Sequence, residues 1–213
     1  MSETLIQGTG AWLAARVGCI TASRMADLMA RTKSGWGASR ANLAAELLCE
    51  RLTGQPAERF TNAAMAWGTA QEPFAREAYS ERTGRDVYEV GFIPHPEIAR
   101  AGASPDGYVG EDGLVEIKAP NTATHLDTLL SGSIAERYLL QMQFQMACAG
   151  RDWCDFVSWD PRLPADMRLF VRRVPRDHSL ILQLESETVS LDREIEARIA
   201  DLRNRYGATA RAA

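Results

Sequence analysis

Lysine is almost missing from this chain: of 24 basic residues only Lys33 and Lys118 are lysine, and the rest are arginine. A lysine kept against that bias is a candidate for work that needs a compact, movable ammonium in place of a planar guanidinium, with codon bias as the plain alternative. Histidine is also scarce, since His95, His125 and His178 lie far apart, and Cys19, Cys49, Cys148 and Cys154 show no CxxC spacing. That spacing suggests neither a zinc site nor a disulfide framework. No apolar run approaches the roughly 18 residues of a membrane span, and the start, Met1 to Gly8, lacks the basic and apolar segments of a signal peptide. The expected location is therefore the cytoplasm, with no membrane partner. Repeats and Pro/Gly/Ser-rich linkers are lacking too, so the expectation is one domain over residues 1–213, with an end that frays after Gly207.

What is present suits a folded globular chain, because 46% of residues are hydrophobic and 24% charged. The net charge of −4 argues mildly against a free-standing DNA-binding domain. It does not argue against a catalytic channel, where only the field along the groove steers DNA.

The patterning predicts helical spacing over Thr21 to Ala30 and a glycine-broken loop from Arg31 to Gly37. Ser39 can cap a helix to about Thr53, stopped by Gly54, and Asn62 can cap a second one ending before Gly84. Extended sequence follows at Asp86 to Ile93, around Ser104 to Val109 and, after a Glu111-Asp112-Gly113 turn, at Leu114 to Ala119, which together read as a three-stranded meander. Asn121 can cap a short helix, Ile134 to Ala149 forms a longer one before Gly150, Trp153 to Trp159 and Arg168 to Val174 read as strands, and a charged helix runs from about Asp177 to Arg205. The fold class predicted is α/β, a central mixed sheet flanked by helices.

The stretch from Ser104 to Lys118 carries the chemistry. It puts Asp106 at a turn before one strand and Glu116 with Lys118 on one face of the next, while Val115, Ile117 and Ala119 take the other face. The apolar face is expected to pack and the charged face to be displayed. A hairpin of this kind could bring both carboxylates to one divalent cation, and magnesium favours a few carboxylates plus water. Such a cation activates water and braces a phosphate, and a nearby lysine can orient the water or neutralise charge. Taken alone, the pattern is better read as an amphipathic strand with an exposed ion pair after an ordinary Pro-Asp-Gly turn.

Several separated blocks change that balance. Asp106 with Glu116-Ile117-Lys118 resembles the PD-(D/E)xK nucleases, whose restriction-endonuclease-like core is a mixed sheet flanked by helices. Trp12 with Arg16 to Ser23, Ala66 to Glu72, Ser104 to Gly107 with Val115 to Lys118, Tyr138 to Met146 and, more weakly, Trp159 to Arg162 resemble the lambda exonuclease branch, the YqaJ-like viral recombinases. The resemblance implies that Asp106 and Glu116 bind metal, with the Ile117 carbonyl as a third ligand and Glu72 as an added acidic residue. It implies Lys118 as the catalytic lysine and Gln143, with Gln141 beside it, as the glutamine that reaches the site. Arg16, Ser23 and Ser104 resemble the receptor for a terminal 5′-phosphate, and the Lys33 and Trp36 loop could touch the duplex. The implied function is a Mg²⁺-dependent 5′→3′ exonuclease, with Mn²⁺ as a substitute, that starts at double-stranded DNA ends, releases 5′-mononucleotides and leaves a 3′ strand for recombination. The implied assembly is a homotrimer beside a single-strand annealing protein. An endonuclease on the same core and a non-catalytic DNA-binding module are the alternatives.

Overall fold

The computed structural model describes residues 7–57 and 63–207. The chain opens with α1 (Gly10–Arg16), then β1 (Ile20–Thr21), a 3-10 turn (Ala22–Arg24) and α2 (Met25–Leu28). A small hairpin of β2 (Arg31–Thr32) and β3 (Gly35–Trp36) leads to α3 (Ala38–Thr53) and α4 (Ala63–Thr83). Five strands follow, β4 (Val87–Tyr88), β5 (Ile93–Pro94), β6 (Ala101–Ala103), β7 (Gly107–Val109) and β8 (Gly113–Lys118). The chain continues through α5 (Thr122–Ser131), α6 (Glu136–Ala149), β9 (Trp153–Trp159), β10 (Leu169–Pro175) and α7 (His178–Tyr206).

Local chemistry explains most boundaries. Thr9, Asn121 and Asp177 cap α1, α5 and α7 through side chains that accept from backbone N–H groups, and Gly54, Gly132 and Gly150 end α3, α5 and α6 in the left-handed conformation. The N-cap of α3 is Gly37 rather than Ser39, and it makes no side-chain cap bond. The expected cap at Asn62 and the fraying after Gly207 lie outside the described residues.

The central sheet has the order β10-β9-β8-β7-β4, with β8 and β9 parallel and the other neighbours antiparallel. A parallel pair needs a long crossover, which α5 and α6 supply. Helices cover both faces. Ala75 and Tyr79 of α4 pack on Val115, Ile117 and Val157, while Met142 and Met146 of α6 pack on Leu114, Cys154 and Phe156. The face of β8 that bears Glu116 and Lys118 is therefore roofed by α6, not displayed to solvent as the alternation alone suggests. A third apolar cluster joins α6 to α2, α3 and α7 through Phe144, Met25, Leu28, Leu43 and Leu184.

Other local readings change for one physical reason, long-range pairing. The start of the Thr21 to Ala30 segment is strand and 3-10 turn, because β1 pairs in parallel with β6. The expected meander divides: β4 joins β7 in the central sheet, while β5 and β6 form a second sheet with β1. Arg31 to Gly37 contains a paired hairpin, and α1 is an element the patterning did not predict. In the β7–β8 turn the left-handed residue is Gly110, at φ 59°, and Gly113 is already the first residue of β8. Gly107 likewise serves close approach, since a Cβ there would meet Val87 Cγ1 at 2.3 Å.

Gly107→Ala is accordingly expected to destabilise the fold by about 1–3 kcal/mol through overpacking. Asn121→Ala should cost only about 1 kcal/mol for a lost cap. Urea unfolding of the two variants measures the difference.

Candidate active site

The register of the hairpin builds the site. Gly107 pairs with Val115 in antiparallel β7 and β8, which sets Asp106 opposite Glu116. Asp106 Oδ2 accepts from the Ile117 N–H at 2.6 Å, and among the described residues nothing hydrogen bonds its Oδ1. Glu116 is 1% exposed and faces α6, where Tyr138, Gln141 and Gln145 fall on one helical face at i, i+3 and i+7. Gln141 Nε2 donates to Glu116 Oε1 at 2.7 Å and Gln145 Nε2 to Oε2 at 2.6 Å. The Lys118 ammonium also pairs with Glu116 Oε1, and it lies 5.4 Å from the centre of the Tyr138 ring.

A third carboxylate arrives from α4. Tyr79 donates to Asp155 Oδ2 at 2.8 Å beneath the fork of Arg173, which pins α4 to the sheet. Glu72 lies two turns earlier on the same face, beside Pro73, whose missing N–H removes one helical bond there. Arg76 holds Glu72 at 2.6 Å and also pairs with Glu89.

The electrostatics follow from this crowding. Burial and then the Glu116 charge push Asp106 well above the usual carboxylate range, against the pull of Lys118. Burial also raises Glu72; Arg76 opposes this, and Glu89 and Glu116 add to it. For Lys118 burial alone would lower the pKa, but the Glu116 and Asp106 carboxylates outweigh it and hold the group as an ammonium. Asp106, Glu116 and Glu72 around Lys118 leave a negative excess, which attracts a cation and repels a phosphodiester until that charge is matched.

Asp106 and Glu72 open onto a cavity of about 760 Å³ whose lining includes Trp12, Arg16, Cys19 and Thr21. Trp12 and Arg16 share a face of α1, with the guanidinium 4.1 Å from the indole ring centre. Both donate to Ser104 Oγ at 3.0 Å, which leaves the serine proton to point elsewhere. The structure thus brings Arg16 and Ser104 together, and it adds Trp12, whose i, i+4 spacing to Arg16 was the available signal. Ser23 is exposed and bonds Thr21 Oγ1 at 3.2 Å rather than Arg16. Lys33 sits at the tip of the β2–β3 hairpin, and Trp36 is held between Arg31 and Arg40 at 3.7 and 4.0 Å. Neither residue lines this cavity.

One assignment is corrected. Gln143 lies on the opposite face of α6, where its Nε2 donates to Pro175 O at 2.8 Å and its Oε1 accepts from Asp177 N at 2.8 Å. It fixes the entry to α7. Residues two apart share a face in a strand but stand about 200° apart around a helix, so the glutamines that reach Glu116 are Gln141 and Gln145. The i, i+4 spacing of those two was the signal that the adjacent Gln-x-Gln hid.

Among the described residues no group of three or more His, Cys, Asp or Glu side chains is gathered as a ready metal cage. Asp106, Glu116 and the Ile117 carbonyl could offer a few oxygens with water completing the shell, a donor set that suits magnesium better than zinc. The open Asp106 Oδ1 fits that use.

A family model for the YqaJ-like viral recombinase domain matches residues 11–152. The chain belongs to that family. Two structures of LHK-Exo, an alkaline exonuclease from Laribacter hongkongensis, one of them in complex with dAMP, share 52% identity with the chain at a TM-score of 0.88. Each alignment covers 96% of this chain and 100% of the relative. A phage-related exonuclease from Haemophilus somnus 129PT has the same fold at 16% identity, with a TM-score of 0.71 over 86% of this chain and 96% of that one. No curated protein sequence matches the chain. Among the described residues no helix is long and apolar enough to cross a membrane.

The raised Asp106 pKa has a consequence for stability. A carboxyl whose folded pKa is raised contributes stability that is fully present below the unfolded value of about 4 and is lost as pH rises through the folded value. In chelator, Asp106→Asn should therefore melt higher than wild type at pH 7 to 8, with the advantage vanishing below about pH 4. Calorimetric melting across that range checks the sign.

Proposed function

We propose that this YqaJ-family protein is a Mg²⁺-dependent 5′→3′ exonuclease that degrades one strand of double-stranded DNA from its end. On this reading it releases 5′-mononucleotides and leaves a 3′ single strand for recombination by annealing. The observation that carries the reading is one cavity lined by Asp106, Glu72, Trp12 and Arg16, the last two both donating to Ser104. A guanidinium fork and a hydroxyl suit the dianion of a terminal phosphate, so strand ends are recognised beside the carboxylates. The similarity to LHK-Exo, seen with the mononucleotide dAMP, supports the same product class.

Asp106, Glu116 and the Ile117 carbonyl would hold the cation, with Glu72 placed to help. Bound there, Mg²⁺ or Mn²⁺ supplies the positive charge that activates water and braces the phosphate. Lys118 acts as a donor, because its carboxylate neighbours keep it protonated, and it orients the attacking water or a phosphate oxygen. Gln141 sits beside it on Glu116, and Arg16 and Ser104 register the strand end. Ser23 would extend this receptor through Thr21, and the Lys33 and Trp36 hairpin would meet the duplex further from the site. Family resemblance supports a homotrimer around the DNA and a single-strand annealing partner.

Digestion of linear duplex DNA with Mg²⁺ tests the proposal. Ends bearing 5′-phosphate should be degraded faster than 5′-hydroxyl ends, Arg16→Ala should erase that preference, and Lys118→Ala should lower the rate by at least about 10²-fold. Ready cutting of covalently closed circular DNA would overturn the reading in favour of an endonuclease.

A further inference from the structure

We infer that Gln145 is a positioning residue that fixes Glu116 for a cation, while Gln141 is the partner that yields. The inference rests on the proposed metal-dependent reading of the site. Two glutamines on α6 are deeply buried, Gln143 at 3% exposure and Gln145 at 0%, and their surroundings differ. Gln143 has both ends of its amide satisfied, by Pro175 O and Asp177 N, so the fold accounts for it. Gln145 is satisfied only at Nε2, on Glu116 Oε2, and among the described residues its buried Oε1 has no hydrogen-bond partner.

A buried orphan acceptor opposes folding, so what favours the residue lies at the other end of its amide, on the buried carboxylate whose Oε2 it serves. Turning the amide over does not help, since it would set Oε1 against a carboxylate oxygen. What the residue provides is therefore its single bond to Glu116 Oε2. That bond is sealed from solvent on both sides, by a glutamate 1% exposed and a glutamine fully buried. Oε1 is held differently, because it is shared by Lys118 and the half-buried Gln141. Gln145 thus sets the orientation of the carboxylate, and Oε1 is the oxygen whose partners can exchange.

The comparison of Gln145→Met with Gln143→Met tests this with Mn²⁺ alone, titrated calorimetrically into DNA-free protein. Gln145→Met should bind Mn²⁺ at least about tenfold more weakly, as expected for loss of a group that orients a ligand, and should melt below wild type because Glu116 Oε2 loses its hydrogen bond. Gln143→Met should melt lower yet keep the wild-type affinity. Unchanged affinity in Gln145→Met, or equal weakening in both variants, overturns the inference. Side-chain amide NMR of the wild type covers the case of a variant that fails to fold. On adding Mg²⁺ the Gln141 resonances should move and those of Gln145 stay, and movement of Gln145 instead overturns the assignment. If the wild type leaves duplex DNA intact while Gln145→Met still loses Mn²⁺ affinity, the exonuclease reading fails and the positioning role stands.

Discussion

The Glu116 carboxylate lies between β8 and α6 with Gln141, Gln145 and Lys118 on its two oxygens. An unpaired carboxylate in that position would cost several kcal/mol, and charge-assisted hydrogen bonds are the strong kind that offset such a cost. The rest of the architecture answers to this requirement. A helix must cross the strand with polar residues on a face that is otherwise apolar, and α6 does so, with Met142 and Met146 packing beside the glutamines. Its far side must be anchored as well, which Phe144 does through the cluster with α2, α3 and α7, and Gln143 through the start of α7. The parallel β8–β9 pair is what makes room for α6 in the crossover.

Glu116 is one of three carboxylates that feel one another's charge from separate elements, and each has its own support. Asp106 is fixed by the Ile117 N–H, Glu72 by Arg76, and α4 as a whole by the Tyr79, Asp155 and Arg173 group beneath it. The site therefore stays assembled although its like charges repel. Burial, with neighbouring carboxylates adding to it, raises Asp106 and Glu72, and a cation bound there would offset both effects.

Sequence patterning made much of this legible, for reasons that can be traced. The Asp106, Glu116 and Lys118 arrangement was readable because a short hairpin fixes strand register locally, and α5, α6 and α7 were readable because Asn121, Gly150 and Asp177 mark their ends. The roof over Glu116 was not readable from alternation, since alternation reports which residues share a face and not what covers it. The same gap hid the second sheet, where Ile20 pairs with Ala101 across some eighty residues of chain. The exchange of Gln143 for Gln145 shows the subtler limit. The resemblance pointed to the Gln-x-Gln pair without saying which side of α6 each residue takes, and the helical period is what groups Gln145 with Gln141 and sets Gln143 apart.

Ser104, which receives Trp12 and Arg16, and Asp106, which faces Glu116, are separated by one residue, Pro105. Proline fixes its own backbone angle and keeps the preceding residue extended, and Gln7 Nε2 further holds the Pro105 carbonyl at 2.9 Å. Two residues of such chain span at most about 7 Å. The separation between the backbone of Ser104, which receives Trp12 and Arg16, and that of Asp106 is thus written into covalent geometry. This short stiff segment holds the two side chains at a fixed spacing, and under the proposed exonuclease reading it would gauge the length of one bite.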